Sequence, residues 1–345
     1  MRSSLFVDYI YLTGHVNFNN IHIKGILKHD KEMKLVLFKR IAEQLPFPSE
    51  QYALKLPNFL EKKDGHAFLN RILFLITLIY IKIRVRPDKY KKVFVSSCDE
   101  ITLGLCPLCR NMYIICHGNA RNMENSVKRF FCKRLARHNS FIVFNDYMAQ
   151  PFLKNGIDKI HIISHGCVEP LKNIQDVSSE NKYSLTIFHP SSRPEKSFVN
   201  EMTGSSQLQR FLKEENILLI LRNGKNEKDN ENIQFINRYL STEEYRSLFL
   251  QSDIILLAYP QQFKYMVSGV SYECVANKKN ILIYDNPSLA YCSNYYNYNV
   301  FFKDITELCE RIKYIKNHPE ASCIVSPDDL QPDYSLIYNN INTKS

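Results

Sequence analysis

The chain has 345 residues, 45% of them hydrophobic and 23% charged, and a formal net charge of +10. These proportions fit an ordinary globular protein and exclude a low-complexity or chiefly disordered chain. The length is too great for one typical domain and suits two of about 150 to 180 residues. The charge is uneven. Residues 1–168 hold 26 Lys and Arg against 13 Asp and Glu, a net of +13, so the remainder carries −3. A basic half of this kind faces an anionic partner; nucleic acid, an anionic membrane surface and a lipid-linked phosphate all qualify.

The first 20 residues hold one arginine and a short apolar run without a small-residue cleavage site, which does not read as a secretory signal. Ten irregularly spaced cysteines then point to free thiols in a reducing cytoplasm. Cys106 and Cys109 form the single Cys-x-x-Cys. With Cys98 and Cys116 they would offer a zinc site, whereas the apolar flanks of Cys98, Cys116 and Cys132 read as small buried hydrophobes.

Apolar strands alternate with amphipathic helices through the first half. The pattern predicts strands at Leu5–Leu12, Lys34–Phe38, Val93–Ser96, Met112–Cys116, Phe141–Phe144 and Ile160–Ser164. Helices are expected at Asn19–Lys28, Ala67–Ile81, Glu100–Leu105, Asn122–His138 and Tyr147–Asn155. The apolar run Ile72–Ile81 is too short to cross a bilayer, which takes about 20 residues. It reads either as a buried helix running into a strand near Ile81 or as a segment lying partly in a membrane interface. In the second case Lys82, Arg84, Arg86, Lys89, Lys91 and Lys92 would meet lipid headgroups.

Residues 169–182 are polar and suit an interdomain linker. The alternation then restarts, with strands at Tyr183–Phe188, Ile217–Leu221, Ile233–Asn237, Asp253–Ala258, Ile281–Tyr284 and Val300–Phe302. Helical stretches follow at Lys196–Glu214 and Ile305–Asn317, and another opens at Ser241 with a capping box, Ser-Thr-Glu-Glu. The expected fold class is α/β: two Rossmann-like doubly wound domains, residues 1–168 and 183–325, facing across a cleft, with a tail at 326–345.

The most informative segment is Asp253–Pro287, a strand, a loop, a helix opening at Ser268-Gly269 and a second strand, hence a βαβ unit. Ser268 is a good N-cap, Gly269 carries no side chain, and the free amides of the first turn form an anion site. Glu273 projects from roughly the same face about one turn on. Amides for phosphates and a carboxylate for ribose hydroxyls suit a nucleotide.

The stretch SGVSYECVANKKNILIYDNP, preceded by SDIILLAY, resembles the donor-binding segment of GT-B glycosyltransferases, in particular the family 4-like enzymes of bacterial surface-polysaccharide synthesis. The resemblance implies that Glu273 holds the ribose of a nucleotide sugar, with Ser268, Gly269 and Val270 at its phosphates. That family often has a second glutamate eight positions earlier, where this chain has Tyr265. IFHPSSRPEKSF is similar to the family's cation loop, which implies that Arg193 and Lys196 neutralise the departing pyrophosphate; Ser197 replaces the usual glycine. Arg222, ahead of Asn223-Gly224-Lys225, would contact base or phosphate, and the Arg238–Leu240 turn would meet the base. In the first half, His117 resembles the acceptor-side histidine, which would bond the sugar or orient the acceptor hydroxyl. Gly14 falls where these enzymes have a loop by the diphosphate, and His165 resembles a structural turn. Asp99 and Glu100 are cleft-edge carboxylates of the kind an inverting enzyme uses as base; a retaining one acts through close contact of acceptor and leaving group.

There is no Asp-x-Asp loop, Gly-x-Ser-x-Gly elbow or Walker sequence, so neither a metal nor a cofactor is expected beside the nucleotide-sugar substrate. The basic residues lie on several separate elements without a recognition motif, which sets nucleic acid aside. The expectation is therefore a cytoplasmic, metal-independent, hexosyltransferase-type glycosyltransferase. It would move sugar from a nucleotide donor to a glycan or lipid-linked acceptor in capsule, O-antigen or exopolysaccharide synthesis, in peripheral contact with the inner face of the cytoplasmic membrane. Two rivals stand beside it: a GT-B-fold nucleotide-sugar epimerase and a non-catalytic nucleotide-sugar-binding relic.

Overall fold

The computed structural model describes residues 3–10, 15–63, 65–171, 182–191, 195–222 and 229–339. Among the described residues thirteen strands form two sheets. The first contains β1 (Leu5–Val7), β2 (Lys34–Phe38), β3 (Tyr52–Leu56), β4 (Val93–Val95), β5 (Met112–Ile115), β6 (Ser140–Val143) and β7 (Ile160–Ile162). The second contains β8 (Leu185–His189), β9 (Ile217–Arg222), β10 (Ile233–Ile236), β11 (Ile254–Leu257), β12 (Asn280–Tyr284) and β13 (Phe301–Phe302). Their spatial orders are β3-β2-β1-β4-β5-β6-β7 and β10-β9-β8-β11-β12-β13. Counted within each sheet, both run third, second, first, fourth, fifth, sixth, the first sheet adding a seventh; this is the doubly wound order.

Every strand pair in the two sheets is parallel. Parallel sheets are covered on both faces, so their strands read as unbroken apolar runs. Leu5-Phe6-Val7, Val93-Phe94-Val95 and Ile254-Ile255-Leu256-Leu257 are buried at every residue.

The chain divides into two compact units. The first comprises Met1–Gly166, Tyr265–Val267 and Leu330–Ser345, and the second Cys167–Lys264 and Ser268–Asp329. Residues after Leu330 are thus part of the first unit. Tyr334 is fully buried there, and its hydroxyl bonds His22 Nδ1 at 2.7 Å. Tyr338 and Ser4 share a hydroxyl bond of 2.8 Å, and Ser164 Oγ donates to the Leu330 carbonyl at 2.6 Å. Gly166 permits the close approach: its φ is +86°, and a Cβ there would stand 3.0 Å from Pro332 Cδ of this segment and 2.3 Å from Ile21 Cγ2.

Several elements differ from the sequence pattern. β3 was not expected. Its burial alternates along Tyr52–Leu56 because it is an edge strand, and Pro48 and Pro57 flank it. The predicted strand near Ile81 does not form; a single helix runs Ala67–Val85 and stops where Arg86 turns left-handed. Nor is that helix buried throughout. Phe74, Thr77, Leu78, Ile81 and Val85 face the core, while Phe68, Ile72, Ile76, Ile79 and Ile83 are exposed. The predicted helix at 122–138 is two, Asn119–Asn122 and Ser126–Ala136, because the Asn125 side chain accepts from Lys128 N and restarts the helix. Ser205 divides Lys196–Gly204 from Ser206–Glu214 in the same way. The linker residues 172–181 and the last residues, 340–345, lie outside the described residues.

All ten cysteines are free thiols. Among the described residues no three His, Cys, Asp or Glu side chains converge as metal ligands, and no helix is long and apolar enough to cross a membrane.

Candidate functional site

In the second sheet the chain winds from β8 outward through β9 and β10, then returns to β11 on the other side of β8. The carboxyl ends of β8 and β11 therefore mark a topological switch point, where open α/β sheets take ligands. Two loops and the end of β9 meet there. Glu195 N donates to the Ala258 carbonyl at 2.8 Å, and Gln261 N to Glu195 Oε2 at 3.3 Å, joining the loops after β8 and β11. Arg222, the last residue of β9, donates from Nη1 to the Pro190 carbonyl at 3.4 Å. Its guanidinium lies 5.3 Å over the ring of Tyr239, itself 85% exposed.

The helix Gly269–Ala276 begins at this edge. Ser268 caps it: Oγ accepts from Ser271 N at 3.2 Å and shares a 2.8 Å bond with the Tyr259 hydroxyl. The Ser268 amide, offered by the sequence as an anion ligand, is instead used inside the fold, donating to the Tyr291 hydroxyl at 3.0 Å. The N–H groups of Gly269 and Val270 have no protein acceptor among the described residues. A Cβ built on Gly269 would meet nothing within 4 Å, so the space beside this residue is open. Two unspent amides at the positive end of a helix suit a phosphate oxygen.

Glu273 stands one turn along that helix, and its Oε2 accepts a 2.8 Å hydrogen bond from the Tyr245 hydroxyl. Burial raises the Glu273 carboxyl above the ordinary range, and the Tyr245 bond opposes this. Burial, and then the Glu273 charge, push the Tyr245 phenol up, so it stays protonated and donates. The Arg238–Leu240 turn borders a cavity of about 640 Å³ with Phe235 and Ser247, and Arg238 is paired with Glu244.

Lys196 is exposed and opens the helix Lys196–Gly204, which Glu195 caps. Arg193, Gly14 and Asn223-Gly224-Lys225 lie outside the described residues. His189, at the end of β8, is fully buried, and neither ring nitrogen makes a regular hydrogen bond. Burial holds its pKa at about 4, outweighing the nearby backbone of Ala258 and Arg222.

In the first unit His117 follows β5. Its Nε2 lies 3.2 Å from the Ser96 carbonyl, which assigns the proton to Nε2 and leaves Nδ1 as the ring's acceptor. The ring stacks on His15 at 4.6 Å and meets Phe18 at 4.1 Å. His22 and His165 pack around the same phenylalanine, at 4.1 and 5.2 Å. Burial first, and neighbouring imidazoles after it, hold His117 and His22 well below the usual histidine value. Burial brings His165 to about 4. The rings of His117, His22 and His165 are neutral at neutral pH.

Sequence reasoning passed over Asp8 and His15. Asp8 is fully buried, accepts from Asn19 Nδ2 at 2.8 Å and Ser97 Oγ at 2.9 Å, and faces His15 Nδ1 at 3.4 Å. The available signal was a lone carboxylate closing an apolar run; taking Leu5–Leu12 as one strand hid it, whereas β1 ends at Val7. Asp99 and Glu100 are not free bases. Asp99 Oδ1 caps the helix Glu100–Leu105, and buried Glu100 accepts from Asn119 and Asn122 at 2.6 Å each. Tyr265, at the position where the sequence resemblance looked for a second glutamate, has φ +52° and stacks on Tyr147 at 4.7 Å within the first unit.

Solved structures match this architecture along its whole length. A glycosyltransferase from Rickettsia africae ESF-5 is 14% identical, covers 100% of both chains and superposes with a TM-score of 0.61. A protein provisionally assigned as a UDP-N-acetylglucosamine 2-epimerase from Listeria monocytogenes is 10% identical, over 100% of this chain and 98% of its own, with a TM-score of 0.64. A UDP-forming α,α-trehalose-phosphate synthase from Burkholderia vietnamiensis is 9% identical, over 96% and 94%, at 0.57. The fold is GT-B. At these identities the GT-B likeness is one of fold. No protein-family model matches the sequence, and no curated protein matches it.

Proposed function

We propose that the protein is a nucleotide-sugar-dependent glycosyltransferase whose second unit holds the donor. The observation that carries this reading is the pairing of open Gly269 and Val270 amides with a glutamate one turn away that Tyr245 holds in place. In this reading the amides take the donor phosphates and Glu273 accepts the ribose hydroxyls, with Arg222 and Tyr239 beside the nucleotide. Lys196 and Arg193 supply the positive charge that stabilises the departing diphosphate, so no divalent metal is invoked. His117, neutral with Nδ1 as acceptor, is assigned to a hydroxyl of the sugar or acceptor. The acceptor is a glycan or lipid-linked sugar, and the setting surface-polysaccharide synthesis.

The epimerase reading draws support from the epimerases among the structural neighbours. Against it, Glu100 and Asp8 in the first unit already accept bonds from Asn119, Asn122, Asn19 and Ser97. Epimerisation of a free nucleotide sugar needs carboxylates able to exchange protons with the sugar. The test is a thermal-shift panel of nucleotides and nucleotide sugars, followed by incubation of the stabilising donor with and without acceptors. Stabilisation by none of them would sink the nucleotide reading. Conversion of the donor alone to its epimer would replace the transferase with the rival.

A further inference from the structure

We infer that the outward face of the helix Ala67–Val85 and a basic cavity beside it form a docking surface for an anionic phospholipid bilayer. This inference stands independently of the catalytic reading.

The helix has two apolar faces. One packs on the core through Phe74, Leu78, Ile81 and Val85. The other carries Phe68, Leu69, Ile72, Ile76, Ile79 and Ile83, which are between 39 and 77% exposed. Apart from Leu69, these recur at intervals of four, four, three and four residues, so they form one stripe along a helix about 28 Å long. Exposed apolar residues scattered singly need no explanation, but a continuous row of this length does.

Charge identifies what covers it. The helix contains no Asp or Glu, and Lys82 and Arg84 border the stripe, followed by Arg86 at its end; Arg71, also at the border, is paired with Asp99 at 3.5 Å. Lys82 also lines a cavity of about 490 Å³ with Arg110, Arg134, Arg137 and His138. No acidic residue lines that cavity, and none of these five basic side chains makes an ion pair among the described residues. Asp88 acts on Cys109 in the cavity wall, as does Lys82 in the opposite sense.

An apolar stripe rimmed by cations lies in the plane of a membrane interface, and a basic cavity at its border accepts a lipid phosphate while the chains follow the stripe. A second copy of the chain fits less well. Two-fold pairing sets the same patch against itself and opposes like-charged rims.

The test is flotation of the full chain with vesicles of pure phosphatidylcholine, and with vesicles in which phosphatidylglycerol replaces a third of it. The wild-type protein should float with the anionic vesicles and little with the neutral ones. Ile72→Ser/Ile79→Ser and Lys82→Gln/Arg134→Gln should each weaken partitioning, the latter on the order of tenfold in low salt. Unchanged thermal midpoints check that these surface variants fold. Failure of the wild type to float overturns the inference. So does equal flotation of the stripe variant, which would place contact elsewhere. A dimer in solution that Ile72→Ser/Ile79→Ser disperses overturns it in favour of a second copy.

Discussion

The hydroxyl of Tyr245 points its proton at Glu273 Oε2, 2.8 Å away, and thereby links the helix Thr242–Gln251 to the helix that follows β11. A carboxylate fixed from one side presents its remaining lone pairs in a defined direction. Tyr245→Phe should therefore weaken nucleotide affinity by about tenfold to a hundredfold, the worth of one hydrogen bond to a charged acceptor. Calorimetric titration of the best nucleotide against wild type and variant measures this. Equal affinities would remove Glu273 from the ribose.

Glu273 also sets a pH dependence. Its folded carboxyl titrates above the ordinary glutamate value, so the native state binds a proton that the unfolded chain has released. Stability contributed here falls as pH rises through that interval. Glu273→Gln keeps an acceptor for Tyr245 and should leave the fold at least as stable as wild type at neutral pH. The same variant should lose nucleotide affinity. A lower melting temperature would contradict the assigned direction.

Gly269 separates binding from packing. Because an added Cβ meets no neighbour, Gly269→Ala should leave the melting temperature within about a degree or raise it, alanine being the better helix former. If phosphate approaches the amide closely, the methyl should reduce affinity on the order of tenfold. Loss of stability with affinity retained would refute both halves.

Buried neutral histidines make the protein acid-sensitive. His189 has a folded pKa of about 4, below the unfolded value near 6.5, so the unfolded chain takes up the proton first. Its contribution is complete above the unfolded value and declines below it, by about 2 kcal/mol between pH 7 and 5. His117, His22 and His165 act in the same sense. Urea unfolding across that range should show falling stability, with a shallower slope for His189→Leu. A flat profile would argue against neutral burial.

Tyr334→Phe probes the returning segment. The substitution leaves His22 Nδ1 buried without the bond it receives at 2.7 Å, at a cost of about 1 to 3 kcal/mol. Nucleotide binding, assigned to the second unit, should be unaffected. No change in unfolding free energy would deny the segment a structural role.

The sheets were legible because parallel strands are buried on both faces and so appear as apolar runs; β2 and β11 are examples. The helix start at Ser268 was legible because capping is local chemistry. What escaped depended on distant partners. Tyr52–Leu56 is a strand only because β2 lies beside it. Whether the outer stripe of Ala67–Val85 was core or interface stayed open, because composition does not say which face has a neighbour. Asp8 and His15 become a pair only once β1 stops at Val7 and the next helix turns back. The use of the Ser268 amide by Tyr291, 23 residues away, has no local signal.

Because the segment from Leu330 completes the first unit, the second unit is an insertion in it. A ribosome delivers the chain from its amino end, so the seven-stranded sheet emerges long before the side chains that seal His22 and Ser4. The six-stranded sheet has all its strands available earlier than the first unit has its last piece. Assembly should therefore close from the inside outward, with the first-formed half the last to become fully native.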